Sequence, residues 1–315
     1  MMSEARSIIH WTPDKIAQFG TVPLLFNHEL HNHSLFSDAA LARLLDNMKR
    51  DDYRVSATDL APDGTRKRRQ GEILGLSGQE ALDAVKNGRI WILRLSPDRR
   101  DPAYLDLLHD IYGEMQRTVP GFKPSLLGIM AVIISSPNAH VAYHCDMPGQ
   151  TLWQIRGTKR VYVYPNKPPF LPQATLEKIA IRESDEYMPY DRSFDDAAVT
   201  FDLQPGQMLY WPLNAPHRIE NANCVNVSFT TEHSTPADRR FFLVNYANGI
   251  LRNRLGRQRL SQKTSGLGYW AKLGLAAAYK FTGNVRKRAR LNIDFAVDPT
   301  APQCVRTVPV YQQDP

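Results

Sequence analysis

A His-x-Asp pair between two strand-like segments is the feature that most constrains the fold of this 315-residue chain. His144 and Asp146 follow the apolar, β-branched run 127–134 and precede the alternating run 160–164. Both runs are typical of buried strands. On an extended backbone, residues two apart leave the same face, so His144 and Asp146 can share a ligand while Cys145 points away.

A second histidine, His217, lies beyond a separate strand-like segment. A Pro-Gly turn at 205–206 precedes the run 207–211, and two prolines stiffen the approach to the histidine. Two histidines and one carboxylate can fill one face of an octahedral Fe(II) and leave the opposite face open. The sequence therefore predicts that His144, Asp146 and His217 bind a metal ion.

The segment 224–230 is a further predicted strand, and it alternates in an unusual way. Its apolar residues share one face, whereas Asn226 and Ser228 share the other. Polar side chains inside a buried strand need hydrogen-bond partners. A ligand pocket would supply them.

The stretch 144–160 (HCDMPGQTLWQIRGTKR) resembles the jumonji-C-like Fe(II)/2-oxoglutarate oxygenases without a gap. Its motif is most similar to that of the asparaginyl hydroxylase of the hypoxia-inducible factor. The segment 205–220 (PGQMLYWPLNAPHRIE) resembles the strand that brings in the distal histidine of this family. The resemblance is specific over about residues 131–232.

The resemblance implies a mainly β fold with helical flanks, built around a double-stranded β-helix (a jelly roll, or cupin-like core). It implies Fe(II) at His144, Asp146 and His217, with 2-oxoglutarate as co-substrate and O2 as oxidant. It also implies that Lys159 pairs with the distal carboxylate of 2-oxoglutarate. Elementary electrostatics agrees, because a strand-borne lysine that points into a barrel is costly unless it is paired.

The rest of the co-substrate pocket follows the family less closely. Gln150 and Ser228 match positions where the family usually has an amide near the co-substrate, and Asn226 is a further candidate contact. Ser228 departs from that pattern. Val141 departs too, because the asparaginyl hydroxylase has there a hydroxyl residue that helps to hold the carboxylate. The predicted co-substrate residues are therefore Lys159, Gln150, Asn226 and Ser228.

The predicted activity is hydroxylation of an unactivated C–H bond, coupled to oxidative decarboxylation of 2-oxoglutarate, on a protein or peptide side chain. Two alternatives stay open: the same chemistry on a small-molecule metabolite, and a metal-binding cupin module without catalysis. Cupins of the sugar-isomerase or storage type usually recruit three histidines and a glutamate. An aspartate at 146 and a lysine at 159 favour the oxygenase.

The chain divides into three regions by pattern. Residues 1–125 mix helical signals with loops, and the basic run 66–69 is predicted to be an exposed loop. Residues 126–233 form the strand-rich core, with an insertion at 166–198 that carries seven acidic and four basic residues. If this insertion covers the pocket mouth, it favours a neutral or basic substrate. Residues 234–315 are predicted to be a basic helical region.

The basic region raises the question of partners. Residues 239–290 contain thirteen lysines or arginines and no acidic residue, whereas the whole chain has a net charge of +7. Helices predicted at 243–255 and 269–281 would expose apolar side chains, which favours a homodimer through these helices. A nucleic acid or an anionic membrane surface is a possible but less favoured partner of residues 239–290.

Composition also indicates the compartment. No apolar run is long enough to cross a membrane, and the first twenty residues show no secretory signal. Three scattered cysteines argue against a disulfide framework and for a reducing environment. The predicted location is the cytoplasm.

Overall fold

Two β-sheets make up the centre of the computed structural model, which describes residues 7–46, 48–60, 66–124, 126–184, 186–281 and 291–313. The strands within these ranges are β1 (Leu24–Asn27), β2 (Tyr53–Leu60), β3 (Arg66–Ile73), β4 (Ile90–Leu95), β5 (Leu126–Ser135), β6 (His140–His144), β7 (Gly149–Arg156), β8 (Lys159–Val163), β9 (Val199–Leu203), β10 (Gln207–Tyr210), β11 (His217–Asn221), β12 (Asn226–Ser234), β13 (Leu291–Val297) and β14 (Val305–Gln313). The α-helices are α1 (Pro13–Gln18), α2 (Asp38–Asp46), α3 (Gly78–Asn87), α4 (Pro102–Thr118), α5 (Gln173–Ala180), α6 (Pro236–Leu255) and α7 (Leu267–Phe281).

Eight of these strands form a double-stranded β-helix. The large sheet contains β5, β12, β7 and β10 as neighbours, and the small sheet has the order β6-β11-β8-β9. All of these pairings are antiparallel, and the chain passes repeatedly from one sheet to the other between β5 and β12. The predicted jelly-roll core with helical flanks is therefore confirmed.

Alternation along the strands separates two apolar layers. Side chains between the two sheets form the barrel lining, which consists of Leu152, Val161, Val163, Leu203, Leu209, Trp211, Ala215 and Ile219. The opposite face of the large sheet packs against the N-terminal helices in a larger core. There Phe229 is stacked between Trp153 and Phe36, with ring centroids 5.3 and 5.0 Å apart. Burial of these faces fixes the strand register, because a one-residue slip would expose them.

The N-terminal region extends the large sheet, which the sequence patterns do not predict. The strands β4, β2 and β3 continue the sheet beyond β5, while β1 pairs with β10 at the opposite edge. Residues 66–69, predicted to be an exposed loop, instead begin β3, so that prediction is wrong. Long arginine and lysine stems can cover apolar surface while their charges stay accessible, and this hides the strand pattern.

The C-terminal region combines two helices with a β-hairpin. The predicted helices are confirmed as α6 and α7, and both begin earlier than predicted. Thr235 caps α6, and Gly256 ends it in a left-handed conformation (φ 64°). The prediction of a helical region is wrong for residues 291–313, because β13 and β14 pair there and β13 lies parallel to β3. Among the described helices, none has the length and apolarity that a membrane crossing requires.

Arginines hold the 166–198 insertion against the core. Three of its carboxylates form ion pairs of 2.6 to 2.8 Å, namely Glu177–Arg252, Glu183–Arg254 and Asp195–Arg218. The first two pairs connect the insertion to α6, and the third connects it to β11. These acids neutralise arginines of the same chain, so they do not support the expectation that the insertion steers a neutral or basic substrate.

Candidate metal centre

The three predicted ligands meet at one end of the barrel. His144 ends β6, Asp146 follows two residues later, and His217 begins β11. One ligand atom from each residue lies within 4.8 Å of the other two. Asp146 is placed between the imidazoles, with Oδ2 3.3 Å from His217 Nε2 and Oδ1 3.8 Å from His144 Nε2.

A β-bulge directs His144 into the barrel. His217 pairs with His144, and Ile219 pairs with Val141, so three steps along β6 match two steps along β11. Val141 and His144 can therefore both face inward, and Val141 packs against the barrel lining. Bulges often re-aim a side chain next to a functional site. The sequence shows His144 and His217 as candidate ligands, but it does not show this irregularity in the pairing of their strands.

Backbone carbonyls orient both imidazoles. Nδ1 of His144 lies 2.8 Å from the carbonyl oxygen of Ala142, and Nδ1 of His217 lies 3.1 Å from that of Ala215. A carbonyl only accepts, so Nδ1 donates and Nε2 keeps its lone pair for a metal. Burial, together with the nearby His144, lowers the pKa of His217 well below its ordinary value and keeps this ring neutral.

The Asp146 carboxylate fits a cation better than it fits its protein surroundings. Oδ2 is buried and accepts no hydrogen bond from the described residues. Burial raises the pKa of Asp146, because nothing nearby fully compensates its charge. A divalent ion between this carboxylate and the two Nε2 atoms would remove that cost. The donor set of two imidazoles and one carboxylate therefore fits Fe(II).

Asn214 fastens the loop that carries Asp146. Its Nδ2 donates to the main-chain oxygens of Asp146 and of the next residue, at 2.6 and 3.2 Å. Its φ of 57° is left-handed, a conformation that asparagine tolerates better than most residues. The side chain thus connects the Asp146 segment to the segment that leads into His217. Sequence reasoning missed this residue, and an asparagine in a proline-bounded loop is the only signal for it.

Lys159 begins β8 and points into the barrel. It is 4% exposed, and its Nζ donates to Ser228 Oγ at 3.0 Å. Within the described residues, no carboxylate lies at ion-pair distance from it. Burial lowers the pKa of Lys159 to about 7. A dicarboxylate bound in the barrel would restore its charge, as the resemblance implies.

The other predicted co-substrate residues occupy different places. Ser228 lies beside Lys159 and pairs in register with Gln154 on β7. Gln150 is four residues before Gln154 on β7, about 13 Å from it along the strand. Its amide donates to Glu232 at 3.4 Å. Gln150 therefore lies further along β7 than the position opposite Ser228, and its contact with the co-substrate stays a prediction.

Asn226 supports the turn that precedes Lys159. Its Oδ1 accepts from Gln154 Nε2 at 2.7 Å, and its Nδ2 donates to the carbonyl of Cys224 at 3.0 Å. The turn passes through Gly157 with φ 73°, and a Cβ there would lie 3.0 Å from the Asn226 amide carbon. Both polar ends of Asn226 thus have protein partners, and its contact with the co-substrate stays a prediction.

Aromatic rings flank the two histidines. Tyr187 stacks on His144 with ring centroids 5.1 Å apart, and Trp211 lies 4.5 Å from His217. Tyr187 belongs to the 166–198 insertion, and the backbone around it pairs with the end of β6. One part of the insertion therefore does reach the metal centre, through a residue that the sequence patterns did not single out.

Comparison with known proteins agrees with this architecture. The family model of the JmjC domain matches residues 123–238. No curated protein sequence matches the chain. The X-ray structure of Escherichia coli YcfD is 17% identical, with a TM-score of 0.50 over 88% of this chain and 70% of that one. YcfD in complex with cobalt and 2-oxoglutarate, described as a ribosomal oxygenase, is 16% identical, with a TM-score of 0.48 over 90% and 73%. The family match and the first structure show a fold of the JmjC, cupin-like type.

We expect Asn214→Gly to weaken metal binding about 10- to 100-fold, because the loop that carries Asp146 loses its fastening. Glycine keeps the left-handed backbone accessible, so the substitution removes only the amide. The measurement is calorimetric titration of the cofactor-free protein with Co(II). Asn138→Gly is the matched control, since Asn138 is also left-handed (φ 59°) but its side chain donates to exposed Asn223, away from the metal centre. Equal affinities in the two variants would contradict the positioning role.

Proposed function

We propose that this protein is an Fe(II)/2-oxoglutarate-dependent oxygenase that hydroxylates an unactivated C–H bond. One observation carries the proposal: the metal-ligand set and a buried lysine without an acidic partner among the described residues share the interior of one barrel. The three ligands alone would suit many metal cupins. Lys159 adds a place for a carboxylate, which a metal-binding module without catalysis does not need.

Each residue has a distinct task in this proposal. His144, Asp146 and His217 would hold Fe(II), which supplies the oxygen-activating redox chemistry when bound. Lys159 and Ser228 would bind the distal carboxylate of 2-oxoglutarate and so orient the co-substrate toward the metal. The apolar barrel lining excludes water. The balanced reaction converts 2-oxoglutarate, O2 and a substrate C–H into succinate, CO2 and a C–OH group.

A protein or peptide side chain is the substrate class that we propose. Its support is the gap-free similarity of residues 144–160 to an asparaginyl hydroxylase motif. A small-molecule metabolite is the second candidate, because one fold serves many substrates. We also place the protein in the cytoplasm, a proposal supported by its three free thiols at Cys145, Cys224 and Cys304.

Anaerobic titration with Fe(II) and 2-oxoglutarate tests the chemistry. We expect a visible metal-to-ligand charge-transfer band that needs both components, and slow succinate formation once O2 is admitted. His217→Ala should abolish both signals, because it removes a ligand. A protein that retains metal but shows neither the band nor 2-oxoglutarate turnover would be a metal-binding module, and the oxygenase proposal would fail.

Lys159→Met should have opposite effects on co-substrate binding and on stability. The 2-oxoglutarate requirement should rise about 100-fold, because one partner of a buried ion pair is lost. The cofactor-free protein should become more stable by about 1–4 kcal/mol, because a buried unpaired ammonium is replaced by an apolar chain. Calorimetric titration and thermal unfolding measure the two effects. Lys167→Met, at an exposed position of the insertion, is the control and should change neither quantity.

The lowered pKa of Lys159 also predicts how 2-oxoglutarate affinity and the stability gain of Lys159→Met change with pH. The folded pKa of Lys159 is about 7, so its ammonium is fully present only below that pH. Wild-type affinity for 2-oxoglutarate should therefore fall as pH rises through 7, whereas Lys159→Met should lack this step. The stability gain of the variant should be largest below pH 7 and disappear above the ordinary lysine pKa. A pH-independent wild-type affinity would show that another group anchors the carboxylate.

We propose a homodimer formed through α7, the second of the two C-terminal helices. One face of α7 packs on α6 through Ala276, which is buried against Ile250 and Tyr246. The outer face carries an apolar stripe in which Leu267, Trp270 and Phe281 are 91%, 63% and 91% exposed. Apolar patches of this kind usually mark interfaces. The basic residues around this stripe would pair with acidic residues of the second copy, because the chain outside residues 239–290 is net negative.

Trp270→Glu should convert the dimer to a monomer, because it places a charge in the middle of the apolar stripe. Light scattering of the full-length protein at micromolar concentration measures the mass. Val310→Glu is the control, since Val310 is 67% exposed but lies on β14 outside the stripe. A wild-type monomer would refute the dimer. Salt-sensitive binding to nucleic acid or to anionic vesicles would then favour the alternative partners.

A further inference from the structure

A row of polar side chains continues the inner face of the barrel onto the N-terminal extension of the sheet. Across four neighbouring strands, Ser135 is opposite Trp91, Trp91 is opposite Ser56, and Ser56 is opposite Gln70. Directly opposite residues lie on one face of a sheet. Ser135 Oγ accepts from Asn221 Nδ2 of the small sheet at 2.9 Å, so this is the face turned toward the barrel interior.

Arg68 lies on the same face, two residues before Gln70 on β3. Its guanidinium carbon is 4.3 Å from the ring centroid of Tyr187 and 5.8 Å from that of Trp91. Tyr187 in turn stacks on the candidate metal ligand His144 at 5.1 Å. One aromatic ring therefore separates the guanidinium from the metal-binding imidazole.

The charge of Arg68 has only neutral partners in the described chain. Its Nε donates to Ser56 Oγ at 3.4 Å. With the Gln70 amide oriented to satisfy both of its polar atoms, the amide oxygen accepts from the guanidinium at 2.7 Å. No described carboxylate lies at ion-pair distance. An arginine this close to a functional centre, half-buried and without an acid, is suited to bind an anion from outside.

Trp91 supplies an unsatisfied donor beside Arg68. The residue is 7% exposed, and its indole N–H has no hydrogen-bond partner among the described residues. A buried donor without a partner costs roughly 1–3 kcal/mol. A ligand acceptor at this position would remove that cost, as it would neutralise the guanidinium.

We propose that Arg68 and Trp91 form a carboxylate-binding subsite for the molecule that is oxidised, with Tyr187 between the subsite and the metal centre. The inference rests on the proposed oxygenase function. A planar guanidinium packed against aromatic rings binds a carboxylate through two parallel hydrogen bonds, and the indole N–H can donate a third. The substrate is therefore an acid, either a free carboxylic acid or a peptide that presents Asp or Glu.

The subsite is distinct from the predicted 2-oxoglutarate anchor. Lys159 projects from the small sheet and contacts Ser228, whereas Arg68 and Trp91 project from the extension of the large sheet. Each cation thus serves a different acid, the co-substrate in one case and the substrate in the other. The insertion does not compete for Arg68 through the three carboxylates that already pair with other arginines.

Matched probes test the proposal. The panel consists of N-acetylated amino acid amides and heptapeptides, in which each Asp or Glu member has an Asn or Gln counterpart. Binding is measured by calorimetry on the protein loaded with Co(II) and 2-oxoglutarate, and succinate formation is measured with Fe(II). We expect at least one acidic probe to bind tenfold or more tightly than its amide counterpart. The two probe sizes distinguish a free acid from a peptide side chain.

Three substitutions locate the effect. Arg68→Gln should abolish the preference for the acidic probe, and Arg68→Lys should retain part of it. Trp91→Phe should weaken the binding of acidic probes about three- to tenfold. Arg69→Gln is the control, because the neighbouring Arg69 leaves the opposite face of β3 and pairs with Asp294 at 3.1 Å. It should keep the preference.

Several results would overturn the subsite. One is equal binding of acidic and amide probes, and another is an equal loss of the acidic preference in Arg68→Gln and Arg69→Gln. A third is a raised 2-oxoglutarate requirement in Arg68→Gln, which would assign the guanidinium to the co-substrate. Failure of the oxygenase proposal is recognised separately. In that case the wild type would lack the charge-transfer band and 2-oxoglutarate turnover, whereas acidic probes would still bind to the Co(II)-loaded protein.

Discussion

The buried and uncompensated carboxylate of Asp146 is the constraint on which the site depends. The surrounding structure fixes its position: Asn214 holds its main chain, and backbone carbonyls lock the two imidazoles so that both Nε2 atoms face it. Nothing in the described chain satisfies its inner oxygen. The fold thus holds three ligand atoms rigidly without satisfying them, which makes the free energy of metal binding part of the stability of this end of the barrel.

Charged or polar groups that lack a full protein partner occur at two other places. Among the described residues, Lys159 has only a hydroxyl as partner, Arg68 has only neutral acceptors, and the Trp91 indole N–H has no acceptor. Buried charges and donors normally have full partners in the protein, so these exceptions on the two sheets support the proposed ligands. The three sites suit three species: a cation, the distal carboxylate of a co-substrate, and the carboxylate of a substrate.

The sequence predicts the parts of this protein that depend on local patterns. Apolar and alternating runs predicted the core strands, the resemblance to the jumonji-C-like oxygenases implied the jelly roll, and the His-x-Asp pair with a distant histidine led to residues that do meet. Long-range and irregular features escaped. The bulge in β6 leaves no compositional trace, the arginine-rich start of β3 looks like a solvated loop, and the insertion acids looked available because their arginine partners are distant in the chain. In each case the deciding contact joins residues far apart in sequence.

The residues proposed for the chemistry and those proposed for the substrate lie in different parts of the chain. All predicted metal and co-substrate residues lie between 144 and 228, inside the segment 123–238 that the JmjC family model matches. Arg68 and Trp91 lie outside it, on strands that extend the large sheet. An added strand can bring new side chains to the pocket without disturbing the barrel, because its backbone hydrogen bonds are made at the sheet edge. Reaction type and substrate choice can therefore be set by different parts of one continuous sheet.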